Sequence, residues 1–149
     1  MLNDLPAAGM TFASTFLLVV LAVAAGLDLA FRRVTNVLIL MGWMAAIFFA
    51  LMSGFKGTLW GVAGFLAGLV FFIPFYATGM LGAADVKLMS IVGAFIGVRD
   101  FLFVVIAVLI AGGLVSAIVW LLWRMGRTRP EVPYALAIFL GVFTYVVLQ

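Results

Sequence analysis

The chain has 149 residues, 68% of them hydrophobic and 9% charged, with a net charge of +3. A water-soluble protein of this size needs a charged shell, and eight Lys/Arg with five Asp/Glu do not supply one, so lipid is its outer solvent. The basic residues sit singly or in small groups between apolar runs, which argues against a nucleic-acid partner and for anionic headgroups at one membrane face.

A helix crosses the hydrocarbon core with about 20 mostly apolar residues. On that rule the first span runs from Ala8 to Leu27. It leads to Ala24-Ala25-Gly26, but it carries Asp4 where a signal peptide has its positive n-region, so a retained helix is expected. The second runs from Asn36 to Met52, and the third from about Thr58 to Ala77, with Pro74 expected to kink or fray its end. The fourth runs from Leu81 to Val98, the fifth from Phe101 to Trp123 and the sixth from Tyr134 to Leu148. The second, fourth and sixth are short and are expected to tilt little or to stop at an interface. Charge and turn residues collect at Arg32-Arg33, at Ser53-Gly54 with Lys56-Gly57, at Gly79, at Arg99-Asp100 and from Arg124 to Pro133. None of these linkers has room for a soluble domain. The expected fold is all-α, a polytopic integral membrane protein of about six transmembrane helices, with residues 1–149 forming a single transmembrane domain.

Orientation follows from the Lys/Arg distribution. The first, third and fifth loops hold Arg32, Arg33, Arg124, Arg127 and Arg129, whereas the termini and the remaining loops hold only Lys56 and Arg99. That imbalance puts the odd loops in the cytoplasm and both termini outside it, and Trp120 and Trp123 before Arg124 fit an aromatic belt at the cytoplasmic interface.

Cysteine and histidine are both absent. Their absence removes thiol nucleophiles, Cys-based zinc sites, Ser-His catalysis and HExxH metalloprotease chemistry. Among the carboxylates, Asp85 stands out because it lies inside the fourth apolar span, in Gly82-Ala83-Ala84-Asp85-Val86-Lys87-Leu88, where an ionisable group is expensive and usually functional. A structural pair with Lys87 is the bland alternative, but residues two apart on a helix point to different faces. Asp28 allows two readings, an interfacial acid paired with Arg32 four residues on or a functional carboxylate. Topology favours the second, since it puts Asp28 and Asp85 at similar depth near the same face. Asp4 and Asp100 fall on the opposite side, and Glu131 lies in a cytoplasmic loop. Two carboxylates held close in a low-dielectric site do not both ionise easily, so one can serve as general acid while the other activates water.

Three ordered stretches carry a resemblance. Asp28 followed by Arg32, Arg33 and Asn36, then Gly82 to Leu88, then Pro133-Tyr134-Ala135-Leu136-Ala137-Ile138 with Gly141, resemble the type IV prepilin peptidase family of GxGD intramembrane aspartyl proteases. The resemblance implies that Asp28 and Asp85 are the catalytic pair. The second glycine of GxGD is Ala84 here, which adds a methyl beside the active carboxylate and removes no reactive group. Thr35 stands where the family often shows proline. Long members carry a cytoplasmic methyltransferase region with a cysteine cluster between the first helices. Here that loop is short and cysteine is absent, so the chain resembles the peptidase-only form of Flp-type (tight adherence) pilus systems. Neither S-adenosylmethionine, nor any other cofactor, nor a metal is then expected.

Supporting roles are expected for Gly82 and Ala84 beside Asp85. Asn36 either orients Asp28 or simply caps a helix, and Lys87 either biases the aspartate pair or snorkels to the interface. The spacings Gly64/Gly68 and Gly93/Gly97 mark close helix packing. The resemblance thus implies a metal-independent, multi-pass endopeptidase of the bacterial inner membrane. It would remove a short basic leader from a prepilin-like substrate whose apolar helix enters from the bilayer. The alternatives are a small proton- or cation-coupled transporter, which also uses intramembrane acids, and a non-catalytic membrane subunit in which Asp85 joins helices.

Overall fold

In hydrocarbon every backbone N–H and C=O must be satisfied within the protein, so long apolar runs become helices. The computed structural model describes residues 7–124 and 134–148. Asp4, Arg127, Arg129, Glu131 and Pro133 lie outside the described residues. Six helices follow in order, α1 (Ala7–Phe31), α2 (Asn36–Met52), α3 (Gly54–Ala77), α4 (Ala83–Ile96), α5 (Val98–Arg124) and α6 (Tyr134–Val147). The protein is an all-α polytopic membrane protein. Three helices are long and apolar enough to cross a bilayer, α3, α5 and the Thr11–Phe31 stretch of α1, while α2 and α6 are apolar but shorter.

The order of the helices in space explains the lengths. Five of them close a ring in the sequence α1, α2, α3, α5, α6 and back to α1, and α4 lies inside, touching all five. Every residue of α4 from Leu88 to Ile96 is buried. Its 14 residues rise only about 21 Å. From sequence, that shortness suggests a helix stopping at an interface. The structure adds that its neighbours enclose it from Leu88 to Ile96.

Glycine makes the enclosure possible. The buried face of α3 is Gly57, Gly61, Gly64, Gly68 and Phe72. A Cβ on Gly64 would overlap the carbonyl of Gly93, and one on Gly93 would overlap the carbonyl of Gly64. A Cβ on Gly68 would lie 2.5 Å from the Met89 carbonyl oxygen. Helices α3 and α4 therefore run antiparallel with their backbones in contact, the packing that paired glycine spacings favour. On the other side of the bundle Gly141 of α6 meets Val108 of α5, where a Cβ would come 2.6 Å from the Val108 Cα.

The expected breaks at Arg32-Arg33 and Ser53-Gly54 fall at helix junctions, whereas two other expected breaks that carry charge do not interrupt a helix. Lys56-Gly57 lies inside α3, which begins at Gly54, and Arg99-Asp100 lies in the first turn of α5, which begins at Val98. The actual interruptions are backbone ones, at Gly54 (φ 74°) and Gly97 (φ 83°), dihedrals that glycine adopts readily. A charged residue does not stop a helix, and Asp100 near an N-terminus favours one. Before the first interruption Ser53 turns back on α2, its Oγ donating to the carbonyls of Phe49 (3.0 Å) and Ala50 (2.8 Å). The Arg99 guanidinium lies over the Trp60 ring, 5.8 Å from its centroid, and that of Arg124 lies 5.6 Å from the centroid of Trp120. Past Pro74, α3 continues only to Ala77, and the Thr78 N–H donates to the Pro74 carbonyl at 3.1 Å.

Candidate active site

Ala13, Leu17, Leu21 and Ala24 form the fully buried stripe of α1. Asp28 follows Ala24 by four residues, so it continues the same face. It is half-buried at the end of that stripe, inside the last turn of α1 rather than beyond it. The helix stops just after, at Arg32, whose φ of 55° is left-handed and whose N–H donates to the Asp28 carbonyl oxygen at 2.9 Å.

Asp85 comes to the same end of the bundle from α4. Gly82 is the N-cap of that helix and Asp85 its third residue. The Gly82 N–H donates to Asp85 Oδ2 at 3.1 Å, and the Asp85 N–H donates to the Gly82 carbonyl at 3.1 Å. This is the carboxylate half of a capping box, and it fixes the orientation of the side chain. Gly82 itself has φ −76° and ψ 154°, which any residue can adopt. Its value is room, because a Cβ there would sit 3.2 Å from Asp85 Oδ2. Ala84 is half-buried at the second position of the helix, where alanine favours helix formation. Asp85 is also half-buried, and the charge of Asp28 is felt at it. Two carboxylates from distant parts of the chain thus share one end of the bundle.

The structure gives Asn36 and Lys87 a role that neither expectation named. Thr35 is the N-cap of α2 and Asn36 its first residue, so Asn36 is not the cap. Lys87 Nζ donates to Asn36 Oδ1 at 3.2 Å. The bond is exposed and ties α2 to α4 two residues from Asp85. Sequence reasoning misses the next rung. Trp43 Nε1 donates to Ser90 Oγ at 3.1 Å, and Ser90 Oγ donates to the Lys87 carbonyl at 2.6 Å. Its signal is readable all the same: Asn36 and Trp43 are seven apart, Lys87 and Ser90 three, so each pair falls on one helical face.

The closing segment has a packing role within the described residues. Ala135, Ala137 and Ile138 are buried, and Gly141 seats α6 on α5.

No curated protein and no solved structure matches the chain. The model of the type IV leader peptidase family matches residues 15–117, a stretch that runs from α1 into α5 and takes in Asp28, Asn36, Gly82, Asp85 and Lys87, and the chain belongs to that family.

Proposed function

We propose that this chain is an aspartyl prepilin peptidase of the bacterial inner membrane, and that Asp28 and Asp85 are its catalytic pair. The observation that carries the reading is their convergence. One ends the core-facing stripe of α1, the other lies in the first turn of the enclosed helix α4, and the charge of Asp28 reaches Asp85. Family membership supports a peptidase, and the cysteine-free chain supports the form without a methyltransferase region.

One carboxylate takes a proton from water as the water oxygen attacks the scissile carbonyl. The other, protonated, gives its proton to the carbonyl oxygen. When the tetrahedral intermediate collapses, the C–N bond breaks and the leaving nitrogen takes up a proton from the pair. The substrate is a prepilin-like chain, its apolar helix in the bilayer and its short basic leader at the cytoplasmic face. Arg32, Arg33 and Arg124 repel such a leader and serve lipid contact and topology instead.

The test uses the purified protein and a peptide with a basic leader ending in glycine before an apolar helix. Asp28→Asn and Asp85→Asn keep side-chain size and remove the carboxylate. Each is expected to lower cleavage by about a hundredfold or more while leaving the protein folded. Full turnover in either folded variant rules out the two-aspartate mechanism.

A further inference from the structure

The helix that carries Asp85 is packed differently on its α3 and α2 sides. Where α4 lies on α3, backbones meet at Gly64 and Gly93 and at Gly68 beside Met89 and Ser90. These contacts are between backbones and set how near α4 lies to α3. The α2 side is different. Lys87 Nζ donates to Asn36 Oδ1 at 3.2 Å, Trp43 Nε1 donates to Ser90 Oγ at 3.1 Å, and Ile91 rests on Gly42, where a Cβ would come 2.7 Å from Ile91 Cδ1. Ser90 also donates to the Lys87 carbonyl at 2.6 Å, which joins the two inter-helix bonds through one turn of α4 backbone.

Ser90 is fully buried, and among the described residues it is the buried polar side chain of the core. At about 100° per residue, Lys87 and Ser90 project roughly 200° and 140° around α4 from Asp85. They do not share its face. An apolar pair of similar shape would fill this seam at little loss of stability. What the polar pair adds is direction, because a single rotation and height of α4 satisfy both bonds.

We propose that Trp43 and Ser90 are positioning residues for the aspartate pair: their hydrogen bond, one turn along α4 from the Lys87–Asn36 bond, sets the rotation and axial register of α4 and so the place of Asp85 relative to Asp28. This rests on the peptidase reading above.

The experiment compares Trp43→Phe, Ser90→Ala and the double variant in the full chain. Each is expected to lower kcat about tenfold with KM within about twofold, because the reacting groups move and the substrate-binding surface does not. The double variant is expected to be no worse than the poorer single one, since the two groups act as a unit. A second readout needs no cleavage. The chain has no cysteine, so Asp28→Cys/Asp85→Cys carries two thiols only, and their rate of bridging by a short bis-thiol reagent reports the spacing. Adding Trp43→Phe is expected to slow the bridging severalfold. Unchanged kcat and unchanged bridging, with only a lower Tm, would reduce the bond to a structural one and overturn the proposal. A wild-type chain that does not cleave prepilin would overturn the peptidase reading, and the bridging rates would still decide whether Trp43 and Ser90 set the spacing.

Discussion

Gly82 and Asp85 hold each other across the first turn of α4, the N–H of each donating to the other residue, at 3.1 Å in both directions. The glycine is there for space rather than for its dihedrals, since a Cβ would sit 3.2 Å from the carboxylate oxygen. Gly82→Ala is therefore expected to push the carboxylate aside and lower cleavage about tenfold. Tm should shift by only a few degrees, since alanine replaces glycine at a cap that uses no side chain. Steady-state kinetics beside a thermal melt separate the two effects, and an unchanged rate would mean that the carboxylate has room to spare.

The α3–α4 seam has no such room. Gly64→Ala and Gly93→Ala each force a Cβ into the opposing carbonyl. Each is expected to destabilise the protein by about 3 kcal/mol or more, at or beyond the top of the usual overpacking range. Gly113 of α5 is the control, since a Cβ added there would meet nothing within 4 Å. Gly113→Ala should stabilise by about 0.5–1 kcal/mol through helix propensity alone. Thermal unfolding in one detergent compares all three.

Orientation is testable because the chain has no cysteine. Thr35 and Lys56 are both exposed and lie at opposite ends of α2 and α3. A membrane-impermeant maleimide is expected to label Lys56→Cys from the periplasm of intact cells and Thr35→Cys only after the inner membrane is opened. The reverse pattern would invert the topology and place the aspartates at the outer face.

Cleavage by a carboxylate pair needs no metal and no thiol. With neither His nor Cys in the chain, chelators and thiol alkylation are each expected to leave the rate within about twofold of the untreated enzyme. A loss on chelation that zinc restores would reveal a carboxylate-bound metal and a different mechanism.

Much of this protein is legible in its sequence. The Asn36–Met52 span matches α2 to the residue, and the other apolar runs match their helices to within a few residues, because a backbone in lipid has few options besides the helix. Asp85 is conspicuous as a charge inside an apolar run. Sequence and structure part over charge: Lys56-Gly57 and Arg99-Asp100 lie within helices, and the breaks fall at the positive-φ Gly54, which the expected break included, and Gly97, which it did not.

Hydropathy and spacing alone pointed to the all-α membrane fold, the six helices among the described residues, the conspicuous Asp85 and the glycine faces, since each depends only on which residues lie near one another along the chain. Tertiary structure alone decided that α4 is the enclosed helix and that Asn36 meets Lys87 rather than capping α2. It also decided that Trp43 reaches the buried Ser90. These are contacts between residues far apart in the chain, with separations of 51 and 47 in the two side-chain bonds. Hydrophobicity marks every helix here as apolar, and it says nothing about which of them the others surround. That choice belongs to packing, where the glycine backbones of α3 and α4 approach closely enough to draw α4 out of the lipid.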